Sequence, residues 1–342
     1  MGDRGVCSLL PPDDVLSRRI RTAVDADRLR GLPAEPGAPE VTFLGAGESY
    51  TACRIGSGDQ ARVLRIPRRP PHEMPRSMEA EFEVLRRVPP ELGTSAIALE
   101  TGADNPLGAP YMVTTYVPGR ALRAADWNPR LATALAHQIA RLHAAFAAGP
   151  APSPASVPSA CEQGEGLLTW WSSHHPVTLA DPRVTALLPA WRRGLARLDP
   201  AFAGVAVHPL IHGDVVVTNV ILGPDGVPRF IDFEWSGPGD TAKDLALIGG
   251  RVTGGPWYLP MTPDDLAAFV TEYSRYSRYA QRSRLAQCNG ATDPQQLLER
   301  RDAYELLDRL GNLLYCLSRP GEARYGRWAD EIARNLTDRL AG

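Results

Sequence analysis

Lysine is almost missing from this chain. Lys243 is the one lysine among 37 basic residues, and the others are all arginine. A site that ordinarily relies on a primary amine must here be served by guanidinium, a planar fork and not a point charge. Cysteine is scarce as well. The five cysteines, at positions 7, 53, 161, 288 and 316, are odd in number and scattered. That argues against a disulfide framework, and no C-x-x-C pair suggests zinc. Neither sign of charge is in excess: 37 basic and 39 acidic residues leave a net charge of −2. No electrostatic footprint for nucleic acid or a membrane surface follows from that balance. Apolar runs stay well short of the ~20 residues of a membrane span. The start, MGDRGVCSLLPPDDV, lacks a signal-peptide layout, so the cytoplasm is the expected compartment.

What is present is a stretch dense in chemistry. The 342 residues suffice for one large or two modest domains. Within them, Leu210 to Leu247 reads LIHGDVVVTNVILGPDGVPRFIDFEWSGPGDTAKDLAL. Two apolar runs, Val215 to Leu222 and Val227 to Phe233, flank Gly223-Pro224-Asp225-Gly226, which predicts a hairpin. Asp214, Asn219 and Asp232 stand around it, and packing does not explain them. Two carboxylates and an amide suit a hard cation such as Mg²⁺, which takes oxygen ligands from one or two carboxylates plus phosphate.

His212-Gly213-Asp214 with Asn219 matches the H-x-D-x-x-x-x-N catalytic loop of protein-kinase-like enzymes. Ile231-Asp232-Phe233-Glu234 lies where such enzymes place their metal-binding Asp, and Asp240 and Asp244 follow in a GD-x-x-x-D-L-A pattern. In order and spacing this set resembles the aminoglycoside phosphotransferase family of small-molecule kinases. The resemblance spans about residues 41 to 320, with gaps near 149 to 200. It implies an α+β, two-lobed, protein-kinase-like fold. Residues 1–117 would form an N-lobe of antiparallel sheet with helices, covering a nucleotide. Residues 118–342 would form a larger, mainly helical C-lobe with the catalytic loop, metal site and acceptor pocket.

Upstream, residues 11 to 31 read as a helix, and Val41 to Leu44 as a strand running into Gly45-Ala46-Gly47-Glu48-Ser49. Strand, glycine-rich turn, strand is the layout of a phosphate-covering loop, so Gly45, Gly47 and Ser49 are candidate nucleotide contacts. Arg62 to Pro67 is the next strand. Arg65 lies between apolar neighbours there, and a buried cation needs an anionic partner. The resemblance assigns Arg65 the phosphate-holding place usual for lysine, with Glu81 of the 76–88 helix as its partner. VLRIPRRP is similar to macrolide phosphotransferases of the same superfamily. Tyr111 to Gly119 reads as a strand ending at a hinge, where the backbone of Thr115, Tyr116 and Val117 would bond a purine.

Downstream, residues 131–147, 264–284, 294–317 and 324–340 read as helices. Residues 149–160 (GPAPSPASVPSA) form a low-complexity loop. His143 is expected to be a packed core residue. The Trp170-Trp171 and His174-His175 pairs are each expected to split between core and surface.

The chemistry implied is transfer of a nucleotide γ-phosphate to a hydroxyl, with Mg²⁺ as cofactor. Asp214 would orient the acceptor hydroxyl, and Asn219 and Asp232 would hold the metal. The donor is ATP or GTP, the macrolide-like stretch favouring GTP. From Ser236 onward there are fourteen acidic and fourteen basic residues. A polycationic acceptor calls for an acidic excess there. The balance, with Trp235, Trp257 and Tyr258 nearby, favours a neutral or weakly charged antibiotic or natural product, such as a macrolide or nucleoside antibiotic. The role would be resistance or self-protection. A metabolic kinase for choline, homoserine or a sugar amine is the alternative, and a nucleotide-binding pseudokinase a second. The expected partners are the nucleotide and a small acceptor, with the chain a monomer or homodimer.

Overall fold

The computed structural model describes residues 14–26, 28–32, 39–147, 156–282 and 293–341. Cys7, Cys288, the start of the predicted first helix and most of the low-complexity loop lie outside them. Contacts group the chain into two units. One comprises residues within 2–119 together with 229–235; the other comprises 120–228 and 236–342.

The first unit is built on a five-stranded antiparallel sheet. Its strands are β1 (Val41–Ala46), β2 (Tyr50–Ile55), β3 (Arg62–Pro67), β4 (Ala96–Glu100) and β5 (Tyr111–Thr115). Their order is β1-β2-β3-β5-β4. The register sets Ala52 and Met112 on either side of Arg65, so Arg65 is on the central strand. Helix α1 (Asp14–Asp25) turns Ile20, Ala23 and Val24 into a core with Ile55, Leu64 and Tyr111. This helix ends sooner than its sequence pattern predicts. After it, Arg28 N bonds Ala23 O and Arg30 N bonds the Tyr111 hydroxyl, which sends Leu29 into the core. Helix α2 (Met78–Leu85) starts where Ser77 accepts from Ala80 N at 3.2 Å. Met78, Glu81, Val84 and Leu85 are its buried face. Phe82 is only half-buried, and the inner position belongs to Glu81.

The second unit is mainly helical: α3 (Pro129–Phe146), α4 (Ala160–His174), α5 (Pro176–Leu179), α6 (Pro182–Leu198), α7 (Thr241–Leu247), α8 (Pro263–Arg282), α9 (Pro294–Leu317) and α10 (Ala323–Ala341). α9 is its centre, packing against α6, α7 and α10. Strand His208–Ile211 pairs with Gly237–Gly239, and Arg120–Ala121 with Val220–Leu222. The predicted hairpin is present but short. Its turn closes through Gly223 N to Val227 O at 3.0 Å, with Gly226 at φ 75°. The strands beside it are only Val220–Leu222 and Pro228–Phe230. Val215 and Val216 are buried in a loop and Val217 opens a 3-10 turn (Val217–Asn219), not a strand; Val217 N bonds Trp257 O at 2.8 Å and Val216 N bonds Asp214 O at 2.9 Å.

No helix among the described residues is long and apolar enough to cross a membrane. Cys53, Cys161 and Cys316 are free thiols.

Candidate active site

In the first unit the site begins at Arg65, on the central strand and 8% exposed. One arm of its guanidinium bonds Glu81, and Nη2 donates to Asp232 Oδ1 at 2.7 Å. Its Cζ lies over the Tyr50 ring, 4.1 Å from the centroid. The Tyr50 hydroxyl donates to the other Glu81 oxygen at 2.9 Å. Burial works against the charge of Arg65, but Glu81 and then Asp232 outweigh it and hold its pKa above the usual arginine value. The sequence-stated need for an anionic partner is thus met twice over.

Asp232 is the one non-glycine residue among those described with positive φ, at 65°. A carboxylate held in the left-handed region points to a site whose surroundings over-determine it. Two residues on, Glu234 is buried, and its Oε2 has no hydrogen-bond partner among the described residues. Burial, then the charge of Asp232, push this carboxyl up to about 9, and the Ser49 hydroxyl offsets that only in part.

The turn before Tyr50 is tied at several points. Gly47 N donates to Tyr50 O at 2.9 Å, Arg68 donates to Gly47 O, and Arg69 pairs with Glu48. Neither Gly45 nor Gly47 has positive φ. A Cβ on Gly47 would meet nothing nearer than Tyr50 O at 3.9 Å, so packing among the described residues does not itself require glycine there. At the predicted hinge, Thr115 N bonds Ser95 O at 2.9 Å, Thr115 O accepts from Thr94, and Tyr116 N bonds Ala61 O at 3.4 Å. Of the three hinge residues, Val117 is the one whose backbone pairs with no other described residue.

The second unit carries Asp214 and Asn219, both at most 9% exposed. Asn219 Nδ2 donates to Asp214 Oδ2 at 2.9 Å and to Asp214 O at 3.1 Å. Gly213, at φ 80°, lets the chain turn between His212 and Asp214. Beneath the loop lies Asp244, fully buried. It accepts from His212 N at 2.8 Å, Gly213 N at 2.8 Å and His143 Nε2 at 2.9 Å. Burial opposes its charge, yet the His143 bond and the Gly213 amide hold the carboxyl below the usual range. Asp240 caps α7 through Ala242 N at 3.0 Å and receives Arg300 Nε at 2.8 Å. His143 is a core residue, also bonded to the Tyr273 hydroxyl at 2.8 Å.

α9 braces the loop from further off. Its buried Arg301 donates to Gly249 O, and Arg309 to Val252 O at 2.9 Å and Ala246 O at 3.2 Å. Glu305 accepts from Val252 N at 2.7 Å, and Asp308 from the Tyr258 hydroxyl at 2.7 Å. These bonds fix the segment that presents Trp257 O to Val217 N.

Nothing in the sequence pattern marks Tyr50, which follows GAGES as one more strand residue. The run LLERRDAYELLDRL hides its buried arginines among ordinary helix formers. Two expectations need correction. Trp257 and Tyr258 are 1% and 3% exposed, held inside by α9, so they give no apolar surface to a ligand. The tryptophan pair splits, with Trp171 buried and Trp170 half-buried, but His174 and His175 are both exposed. No group of three or more His, Cys, Asp or Glu among the described residues could hold a metal by itself. A Mg²⁺ site completed by phosphates does not require one.

A family model described as "Phosphotransferase enzyme family" (APH) matches residues 40–286. The chain belongs to that family. It is a small-molecule phosphotransferase acting on hydroxyl groups. No curated protein matches the phosphotransferase in sequence. Solved structures do match it in fold. Choline kinase from Cryptosporidium parvum Iowa II aligns with TM-score 0.61 at 12% identity, over 95% of this chain and 96% of that one. A putative aminoglycoside phosphotransferase from Ralstonia eutropha JMP134 aligns with TM-score 0.60 at 14% identity, over 95% and 97%. A thermostable mutant of the aminoglycoside phosphotransferase APH(4)-Ia, in ternary complex with AMP-PNP and hygromycin B, aligns with TM-score 0.54 at 16% identity, over 89% and 95%. At such identities the likeness is one of fold, the kinase-like α+β fold with an antiparallel sheet and a larger helical part.

Proposed function

We propose that this phosphotransferase moves the γ-phosphate of ATP or GTP to a hydroxyl of a neutral or weakly charged antibiotic or related natural product, for resistance or self-protection. The observation that carries the reading is the Arg65–Glu81–Asp232 constellation, with Asp214 and Asn219 held by Asp244. Phosphoryl transfer asks a protein for positioning and charge neutralisation more than covalent chemistry. Arg65, braced by Glu81, orients the donor phosphates, and the backbone of Gly45 to Ser49 covers them. The Val117 backbone meets the purine edge, with Thr115 and Tyr116 forming the strand end that carries it. Asp214 accepts a hydrogen bond from the acceptor hydroxyl and orients it for in-line attack. His212 supports the loop.

The donor set suits Mg²⁺. Asn219 and Asp232 offer hard oxygen atoms, and the orphaned Oε2 of buried Glu234 stands two residues from Asp232. Asn219 and Asp232 would hold the ion, which when bound neutralises charge on the phosphates.

The acceptor class rests on charge balance. The aromatic cluster supports the choice over choline. A trimethylammonium group is recognised by an aromatic cage. Here Trp257, Tyr315, Tyr325 and Trp328 pack edge to face on one another, with Arg319 3.7 Å from the Tyr315 centroid and Arg324 5.0 Å from that of Tyr325. Guanidinium already lies over the rings of Tyr315 and Tyr325. The test is a coupled nucleotide-turnover screen with Mg²⁺, pairing ATP and GTP with macrolides, nucleoside antibiotics, aminoglycosides, choline and homoserine. Stimulation by a neutral antibiotic supports the reading. Stimulation by choline or homoserine alone replaces it with the metabolic one, and nucleotide binding without transfer to any acceptor replaces it with the pseudokinase.

A further inference from the structure

An arginine on the central strand raises a problem that a lysine does not. An ammonium is satisfied by one carboxylate from any direction, whereas a guanidinium must be held in plane as well as in place. Glu81 and Asp232 fix the edges of the Arg65 fork, and neither fixes its tilt. The Tyr50 ring is placed to do so, because the Arg65 Cζ lies over it, 4.1 Å from its centroid. Its hydroxyl bonds the Glu81 oxygen that Arg65 leaves unused. Burial, foremost, raises the Tyr50 phenol above its usual pKa, so it remains a donor. Tyr50 also ends the glycine-rich turn: its carbonyl accepts from Gly47 N, and Arg68 N bonds the adjacent Ser49 O at 2.8 Å. A single residue therefore touches the guanidinium face, the carboxylate that braces it and the turn in front of it.

We propose that Tyr50 is a positioning residue for the phosphate donor, setting the plane of Arg65 and fixing it relative to the Gly45–Ser49 turn. This rests on the reading of Arg65 as the donor-phosphate residue. It goes beyond that reading by naming what allows arginine to fill a lysine's place.

Phosphate-dependent affinity is the quantity to test. Mg²⁺-ATP, Mg²⁺-GTP and the matching monophosphates are titrated calorimetrically against the full chain and against Arg65→Ala, Tyr50→Phe and Tyr50→Leu, with melting followed in parallel. The triphosphate that binds wild type more tightly is used throughout. Tyr50→Leu, which loses the stacked face, is expected to weaken triphosphate binding about tenfold, in line with the strength of a buried cation–π contact. Tyr50→Phe, which loses only the hydroxyl, is expected to weaken it about threefold. Monophosphate affinity should stay as in wild type for both, and Tyr50→Leu should cost nothing further in an Arg65→Ala background. A purely structural role would lower the melting temperature and weaken both nucleotides alike, or neither. Wild-type triphosphate affinity in Tyr50→Phe overturns the proposal whatever Tyr50→Leu does, and equal loss for mono- and triphosphate overturns it too. If Arg65→Ala binds triphosphate as wild type does, the reading of Arg65 itself has failed, and the Tyr50 proposal with it.

Discussion

Asp244→Ala tests how the catalytic loop is held. The carboxylate is fully buried and takes three hydrogen bonds, two from loop amides and one from His143. Alanine leaves all three donors buried without a partner, at roughly 1–3 kcal/mol each. Some relaxation and water entry reduce the sum, so a loss on the order of 3–6 kcal/mol is expected. Against a typical stability of about 5–15 kcal/mol, that is a large fraction. Asp244→Asn keeps the shape and one acceptor oxygen but turns an N–H₂ toward another donor, so a loss about half as large is expected. Because the carboxyl is held below its ordinary range, its contribution is complete above the unfolded value, about pH 4, and is lost as pH falls through the folded value. Urea unfolding at pH 7.5, followed by far-UV circular dichroism, measures both variants. An unfolding free energy for Asp244→Ala within about 1 kcal/mol of wild type would refute the view that this residue anchors His212 and Gly213.

Other substitutions address the chemistry and the pH response. Asp214→Ala is expected to lower turnover by about 10²–10⁴-fold with the fold intact, read from steady-state kinetics beside circular dichroism. Asp232→Ala should abolish Mg²⁺-dependent nucleotide binding in calorimetry, and undiminished binding would remove it from the metal site. His208 is lowered to about 4 by burial and then by His143. Between its unfolded value near ~6.5 and about 4 the unfolded chain holds a proton that the folded chain lacks, so stability falls as pH falls. His208→Gln should flatten that decline by on the order of 2 kcal/mol between pH 7.5 and pH 5, measured by urea unfolding at each pH. An unchanged slope would show that His208 is not the titrating group.

Much of this protein could be read before its structure was known, because its chemistry is written in local spacing. The His212–Asp214–Asn219 run, the Asp232 segment and the Asp240–Asp244 pair are short-range patterns, as are the periodic helices read at 131–147, 264–284, 294–317 and 324–340. What escaped depends on partners far away in the chain. Val215 to Val217 have the composition of a strand, yet a carbonyl forty residues on, at Trp257, takes the Val217 amide. Trp257 and Tyr258 read as surface for a ligand until the arginines and carboxylates of α9 fold over them. Tyr50 has no local signature, since its meaning comes from Arg65 and Glu81, which reach it only through sheet register and helix packing.

The scarcity of lysine bears on how such an enzyme is detected. Nucleotide-derived probes with acyl-phosphate or sulfonyl-fluoride warheads report kinases by acylating or sulfonylating the amine of the β3 lysine. On the proposed reading that position is taken by Arg65, whose guanidinium stays protonated and offers no nucleophilic lone pair. Its lone lysine stands on α7, in the other unit. Chemoproteomic surveys built on amine capture would pass over this phosphotransferase even in a cell that makes it abundantly, and a vicinal dicarbonyl, which condenses with guanidinium, is the warhead suited to it.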